Sequence, residues 1–95
     1  MWRQVVRSAN FAKANLRTAS FFDADLSNSN FQGANMVETN LEMADLTGAD
    51  LTGARLAYLN PSYGPADITG VTWTNAICPD GTPASTVGNT CANNL

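Results

Sequence analysis

Large apolar residues recur at every fifth position from Phe11 onward: Phe11, Leu16, Phe21, Leu26, Phe31, Met36, Leu41, Leu46, Leu51 and Leu56. Two residues before each stands a small one, alanine in eight of the ten blocks and Ser29 or Thr39 in the other two. Between them lies Asn or Asp in most blocks, as in Ala9-Asn10-Phe11 and Ala24-Asp25-Leu26. Neither ordinary element fits this period. Five residues advance an α-helix by roughly 500°, so the apolar positions would spiral around it. Along a straight strand a five-residue step lands on alternate faces. The pattern therefore predicts a chain that turns once per block. The first and third positions point inward and the other three outward. An Asx side chain before the large residue suits such a turn by bonding nearby backbone. Gly33, Gly48 and Gly53 fall at fifth positions, where a turn is sterically demanding.

The register holds over residues 9–58 and then fails, because the next central slot would be Pro61. Asn60-Pro61-Ser62-Tyr63-Gly64-Pro65 reads as a loop. The blocks resume two residues late, with Ile68 and then Trp73 in the large slot and Cys78 in the next. The expected organisation is a single domain. It has an N-terminal cap (1–8), regular repeats (9–58), a loop or two-residue insertion (59–65), resumed repeats (66–78) and a C-terminal cap (79–95). Trp2, Val5 and Val6 are the residues expected to close the first coil, because the ends of a stacked repeat expose core and strand edges.

The blocks resemble the A-(D/N)-L-x-x repeat of the pentapeptide-repeat family. That resemblance implies an all-β fold, a right-handed quadrilateral β-helix with four repeats per coil, here nearly four coils capped at both ends. Residues twenty apart then stack: Phe11 on Phe31 on Leu51, Leu16 on Met36 on Leu56, Phe21 on Leu41, Leu26 on Leu46. With one strand spacing per coil the height is on the order of 18 Å. The tail, with Thr72-Trp73, Cys78-Pro79-Asp80-Gly81-Thr82 and Cys91, is similar to one found in bacterial members, often exported ones.

Composition changes this picture only at a few points. Charged residues make up 14% of the 95, below the usual quarter or so, and turn-forming and ladder-forming polar residues take their place. There is no histidine, which removes the commonest general base and zinc ligand. The net charge of −3 implies neither a nucleic-acid nor a membrane partner. Two cysteines without histidine do not complete a usual zinc site, and their spacing is not that of a redox pair. A disulfide between Cys78 and Cys91 would tie the tail to the last coil; the ordinary alternative makes Cys78 a small core residue with a free thiol. A disulfide would place the protein outside the reducing cytoplasm, in a periplasm, an extracellular space or a thylakoid lumen; free thiols would leave it cytoplasmic.

Charge is unevenly spread. Residues 1–20 hold Arg3, Arg7, Lys13 and Arg17 and no acid, whereas residues 21–50 hold six acids and no base. On a square coil Asp23, Asp25, Glu42 and Asp45 share two adjacent faces. They are either an acidic contact surface or solvated faces that keep the stack soluble. The register also turns Phe22, Val37, Met43 and Tyr58 outward. A single carboxylate at the Asp80-Gly81 turn is a poor calcium site, and no cofactor is expected.

No nucleophile constellation, metal cluster or phosphate loop is present, so the sequence predicts no enzyme. The expected function is a non-catalytic structural or protein-interaction module with an unidentified protein partner, no nucleic acid, no membrane insertion, and a monomeric or weakly dimeric state. The alternative comes from the family: some members mimic duplex DNA and act on DNA gyrase. That reading asks for a longer and more uniformly acidic rod.

Overall fold

The computed structural model describes residues 4–56 and 65–92. Within them the backbone pairs with itself at a spacing of twenty residues. Parallel bridges join Val5 to Asp25 to Asp45, Asn10 to Asn30 to Asp50, and Asn15 to Asn35 to Arg55. Ser20 pairs with Asn40 in the same way. Each bridge is isolated, one per side of the coil, so no side grows into a continuous strand. The architecture is a β-helical solenoid held by short ladders.

Each block makes its turn as its residue types dictate. The small residue opening a block donates its N–H to the central carbonyl of the block before, as from Ala14 to Phe11 at 3.0 Å and from Ala34 to Phe31 at 3.0 Å. The fifth residue between them has positive φ: 59° at Lys13, 66° at Thr18, 69° at Gly48. This is the pattern of a type II turn, which favours glycine or asparagine at that place. The Asx side chain ahead of each large residue accepts a backbone N–H two residues on, from Ala12 to Asn10 Oδ1 at 3.0 Å and from Gln32 to Asn30 Oδ1 at 2.9 Å. Where the fourth residue is Ser or Thr, its hydroxyl joins in, as between Ser27 and Asp25 and between Thr52 and Asp50.

The axis is filled by two kinds of side chain. Leu26, Phe31, Met36, Leu41, Leu46 and Leu51 are fully buried, with the alanines of the first positions among them. Phe11 and Phe31 stack at a centroid distance of 5.1 Å, and Phe21 meets both edge-on. Ser29 and Thr39 are small enough for the first position, and they also bond between coils. Ser29 Oγ donates to the Val6 carbonyl at 3.0 Å, and Thr39 Oγ1 to the Leu16 carbonyl at 2.8 Å. Their hydroxyls are thereby satisfied in an otherwise apolar interior.

Three sequence expectations change. First, residues 4–8 are not a cap. Val5 bridges Asp25, and the Val6 N–H donates to the Asp25 carbonyl, so Gln4-Val5-Val6-Arg7-Ser8 is a repeat with Val6 at its centre. Trp2 lies outside the described residues. Second, the insertion is longer than two residues. Asn40 pairs with Asp67, twenty-seven residues on instead of twenty, so the excursion adds seven. Ile68 therefore continues the Phe21–Leu41 stack, Trp73 the Leu26–Leu46 stack and Cys78 the Phe31–Leu51 stack. The segment 57–64, with Pro61, lies outside the described residues. Third, Val37 does not face solvent but is fully buried. It stands beside Arg17 in the ladder, and the Arg17 guanidinium reaches on to Glu38. The long excursion after Leu56 leaves from the same corner of the next coil.

After Cys78 the chain reverses. Cys78 N–H donates to the Thr82 carbonyl, and Ile77 pairs with Pro83 in antiparallel fashion. A short 3₁₀ turn, Ala84–Thr86, follows. A disulfide joins Cys78 to Cys91 across a sequence separation of 13. Both cysteines and Ala84 are fully buried.

Candidate interaction surfaces

A solenoid packed to its axis leaves its outer faces and its two ends as places where chemistry can occur. Among the described residues no cluster of three or more Asp, Glu, His or Cys stands close enough to hold a metal ion, and no helix is long and apolar enough to cross a membrane.

The four acids read together from the sequence do not form one open surface. Asp25 is 6% exposed, and its carboxylate is engaged from several sides. It accepts the Ser27 hydroxyl at 2.7 Å, Arg7 Nε at 2.6 Å and the Ser27 N–H at 3.1 Å. These bonds, the Ser27 hydroxyl first and Arg7 next, lower its pKa to about 2. Asp45 is half-buried and takes the N–H and hydroxyl of Thr47. Asp25 and Asp45 thus stabilise turns. Asp67 repeats this arrangement with Thr69, whose N–H, then hydroxyl, lowers its pKa.

Asp23 and Glu42 are placed differently. They belong to adjacent coils of one corner, where the Asp23 N–H donates to the Glu42 carbonyl at 2.9 Å. The same corner carries the two exposed apolar side chains Phe22 and Met43, at 50% and 51% exposure. Met43 leans toward Gly70 in the next coil, where its sulfur takes the space that a Cβ would need. Asp80, at the other end, accepts the Thr82 N–H at 2.9 Å.

The first coil is the basic region. Arg7 pairs with Asp25, and Arg17 Nη2 lies 2.8 Å from Glu38 Oε1. Its backbone is also unlike that of the coils above it. Every second-position residue of the second coil both donates and accepts across the ladder, as Asn30 does with the Ala9 carbonyl and the Phe11 N–H. The corresponding groups of Asn10, Asn15 and Ser20 have no partner among the described residues. Sequence reasoning missed this edge because it took Val5 and Val6 for part of a cap, whereas they belong to a repeat.

Comparison with known proteins agrees with this geometry. The model of the pentapeptide repeats, in eight copies, matches residues 6–36 and 19–57. Among solved structures, a pentapeptide repeat protein from the Arabidopsis thaliana thylakoid lumen is 35% identical, with a TM-score of 0.56 over 77% of this chain. The match covers 49% of that protein, so the chain spans about half its length. A pentapeptide repeat protein from the cyanobacterium Cyanothece 51142 is 23% identical, with a TM-score of 0.43 over 76% of this chain and 41% of that one. No curated protein sequence matches. With the family model matched over more than half of its length and its backbone paired every twenty residues, this chain belongs to the pentapeptide-repeat family.

Proposed function

We propose that this chain is a non-catalytic structural or protein-interaction module that works in an oxidising compartment. The observation that carries the first part is the division of labour within each block. First and third positions fill the axis, while the residues that vary, at fourth and fifth positions, are spent on the outer faces. Variation confined to a rigid exterior suits recognition of a partner better than turnover of a small substrate, which needs a concave site. In this reading the solenoid comprises nearly four coils, with residues 79–92 covering part of the last.

The compartment rests on the Cys78–Cys91 disulfide, since such a bond persists where thiols are not kept reduced. The likeness to a thylakoid-lumen protein points the same way. The DNA-mimic reading has less support. The carboxylates of Asp25 and Asp45 are turned into the coil's own turns, and cations line the first coil.

Both parts are testable. Alkylation of freshly isolated protein without reductant, followed by intact mass, should leave both cysteines unmodified; two alkylated thiols would remove the compartment argument. For the module, labelled protein titrated with protein fractions from its native source should show amide shifts confined to one face or end. Saturable conversion of a small molecule by the pure chain would overturn the reading.

A further inference from the structure

Among the exposed apolar side chains, Met43 is the one that carries reactive chemistry. A thioether sulfur has a lone pair that attacks peroxides, at a rate governed by access. Met36 fills the axis and is fully buried, whereas Met43 keeps half of its surface in solvent. The contrast follows from the repeat, since Met36 holds a third position and Met43 a fifth. Met1 lies outside the described residues.

Exposure alone would leave the sulfur free to turn in any direction. Here it has a seat. The fifth-position side chain of one coil lies over the fifth position of the next, as Lys13 does over Gly33 and Asn28 over Gly48. Met43 is held by its own N–H, which donates to the Thr69 carbonyl at 2.8 Å, and its sulfur takes the space that Gly70 leaves by having no Cβ. Gly70 has φ of 70°, a region that glycine enters without steric cost. One side of the sulfur therefore rests against Gly70, and the other is open to water. Oxygen is delivered from the open side, and the two faces of a thioether sulfur give different sulfoxide epimers.

We propose that Met43 is a peroxide-oxidised modification site, and that its seat on Gly70 makes the oxidation stereoselective. The sulfur lone pair attacks a peroxide oxygen, and the O–O bond breaks as the S–O bond forms. With hydrogen peroxide the other oxygen leaves as water; sulfur loses two electrons and the peroxide gains them. The sulfoxide puts a polar oxygen on the corner shared with Phe22, while the packing along the axis is left intact. A separate dithiol reductase reverses each epimer, with loss of the oxygen as water and closure of the enzyme's own disulfide. The seat thus also decides which of the two restores the thioether. This inference goes beyond the module reading and does not depend on it.

The full, disulfide-bonded chain is treated with hydrogen peroxide, and Met36 and Met43 are followed by peptide mass mapping. Met43 should react at least about tenfold faster than Met36, whose sulfur is reached only when the coils open. Epimer-specific reductases applied to the digested peptides then count the two sulfoxides of Met43. One should exceed the other by about threefold or more in the folded chain, against about one to one after oxidation in urea. Gly70→Ala, whose Cβ displaces the sulfur, should move the folded ratio toward the urea value; the urea comparison carries the test should that variant not fold. Equal rates at Met36 and Met43, or equal epimers in the folded wild-type chain, overturn the proposal. Neither result touches the module reading, which the native-source titration tests separately.

Discussion

At the first coil Val6, Phe11 and Leu16 are half-buried and Asn10, Asn15 and Ser20 have no ladder partner among the described residues, whereas at the last coil Trp73 and Cys78 are buried and a tail that is not itself repetitive follows. Both coils are made of the same five-residue block, so the block cannot be what closes an end. A repeat buries the face it shares with its neighbours and leaves its terminal face to whatever follows. At the last coil the answer is Cys91, Ala84 and the turn at Cys78–Thr82. The middle coils need no such device, which is why the largest effects are expected there.

Phe31 sets the top of the scale. It is fully buried and contacts both Phe11 and Phe21. Phe31→Ala should cost about 3–5 kcal/mol, near the upper range for an aromatic truncated in a core. Phe11→Ala, at the partly open end, should cost about 1–2 kcal/mol, because less surface is removed from water on folding. Urea unfolding of both variants measures the contrast; equal losses would show that the first coil is as well covered as the second.

The disulfide is next. Replacing Cys78 and Cys91 together by alanine should lower stability by about 3 kcal/mol in the chain-entropy account of a loop this size. The loss should be local at first, with exchange rising at Ala84 and Val87 before it rises at Leu41. Uniform acceleration across all coils would mean that the tail is not a separate closing device.

Much of this was legible in the residues, and the failures have physical causes. The ten regular blocks could be read because small, Asx and large side chains occupy fixed places that only one backbone path satisfies. The block centred on Val6 could not, since Gln4-Val5-Val6-Arg7-Ser8 has neither the small first residue nor the Asx. The length of the insertion was ambiguous for a deeper reason. A five-residue periodicity fixes an insertion only up to multiples of five, so two and seven look alike until Asn40 is seen to pair with Asp67. Val37 was misplaced because register says which way a side chain points and not what comes to cover it. Of the acidic positions, Asp25 was the misleading one: a carboxylate in the Asx slot is used by its own turn, whatever face it occupies.

That use of Asp25 gives the first coil a pH dependence that the upper coils share less. Its pKa is lowered to about 2 by the Ser27 hydroxyl and Arg7. A carboxylate lowered on folding stabilises the fold above its ordinary range near pH 4, and the contribution is lost as pH falls through its folded value. Acidification from about pH 5 to about pH 2 should therefore lower the protection of the Val6 amide, taken relative to its free-peptide exchange rate, before that of Leu51, because the Val6 N–H bonds the Asp25 carbonyl. Asp25→Asn keeps an acceptor for the Ser27 N–H but cannot hold Arg7 as an ion pair, so the early phase should flatten. If it persists unchanged in that variant, another group carries the dependence.

The smallest expected effect tests the turns themselves. Thr18 has φ of 66° at a fifth position, a conformation that a β-branched residue adopts only with strain, and its N–H bond to Val37 is 3.3 Å. Asn28 occupies the same place in another block at φ 59°, where a short amide side chain is tolerated. Thr18→Asn should therefore stabilise the chain by a few tenths up to about 1 kcal/mol. Thr18→Gly relieves the same strain but also frees the unfolded chain, so its net effect should lie below that of asparagine. The order asparagine, glycine, threonine in thermal melts would locate strain in the turn of the first coil. A loss in both variants would mean instead that the exposed Thr18 side chain makes a favourable contribution larger than the strain it carries.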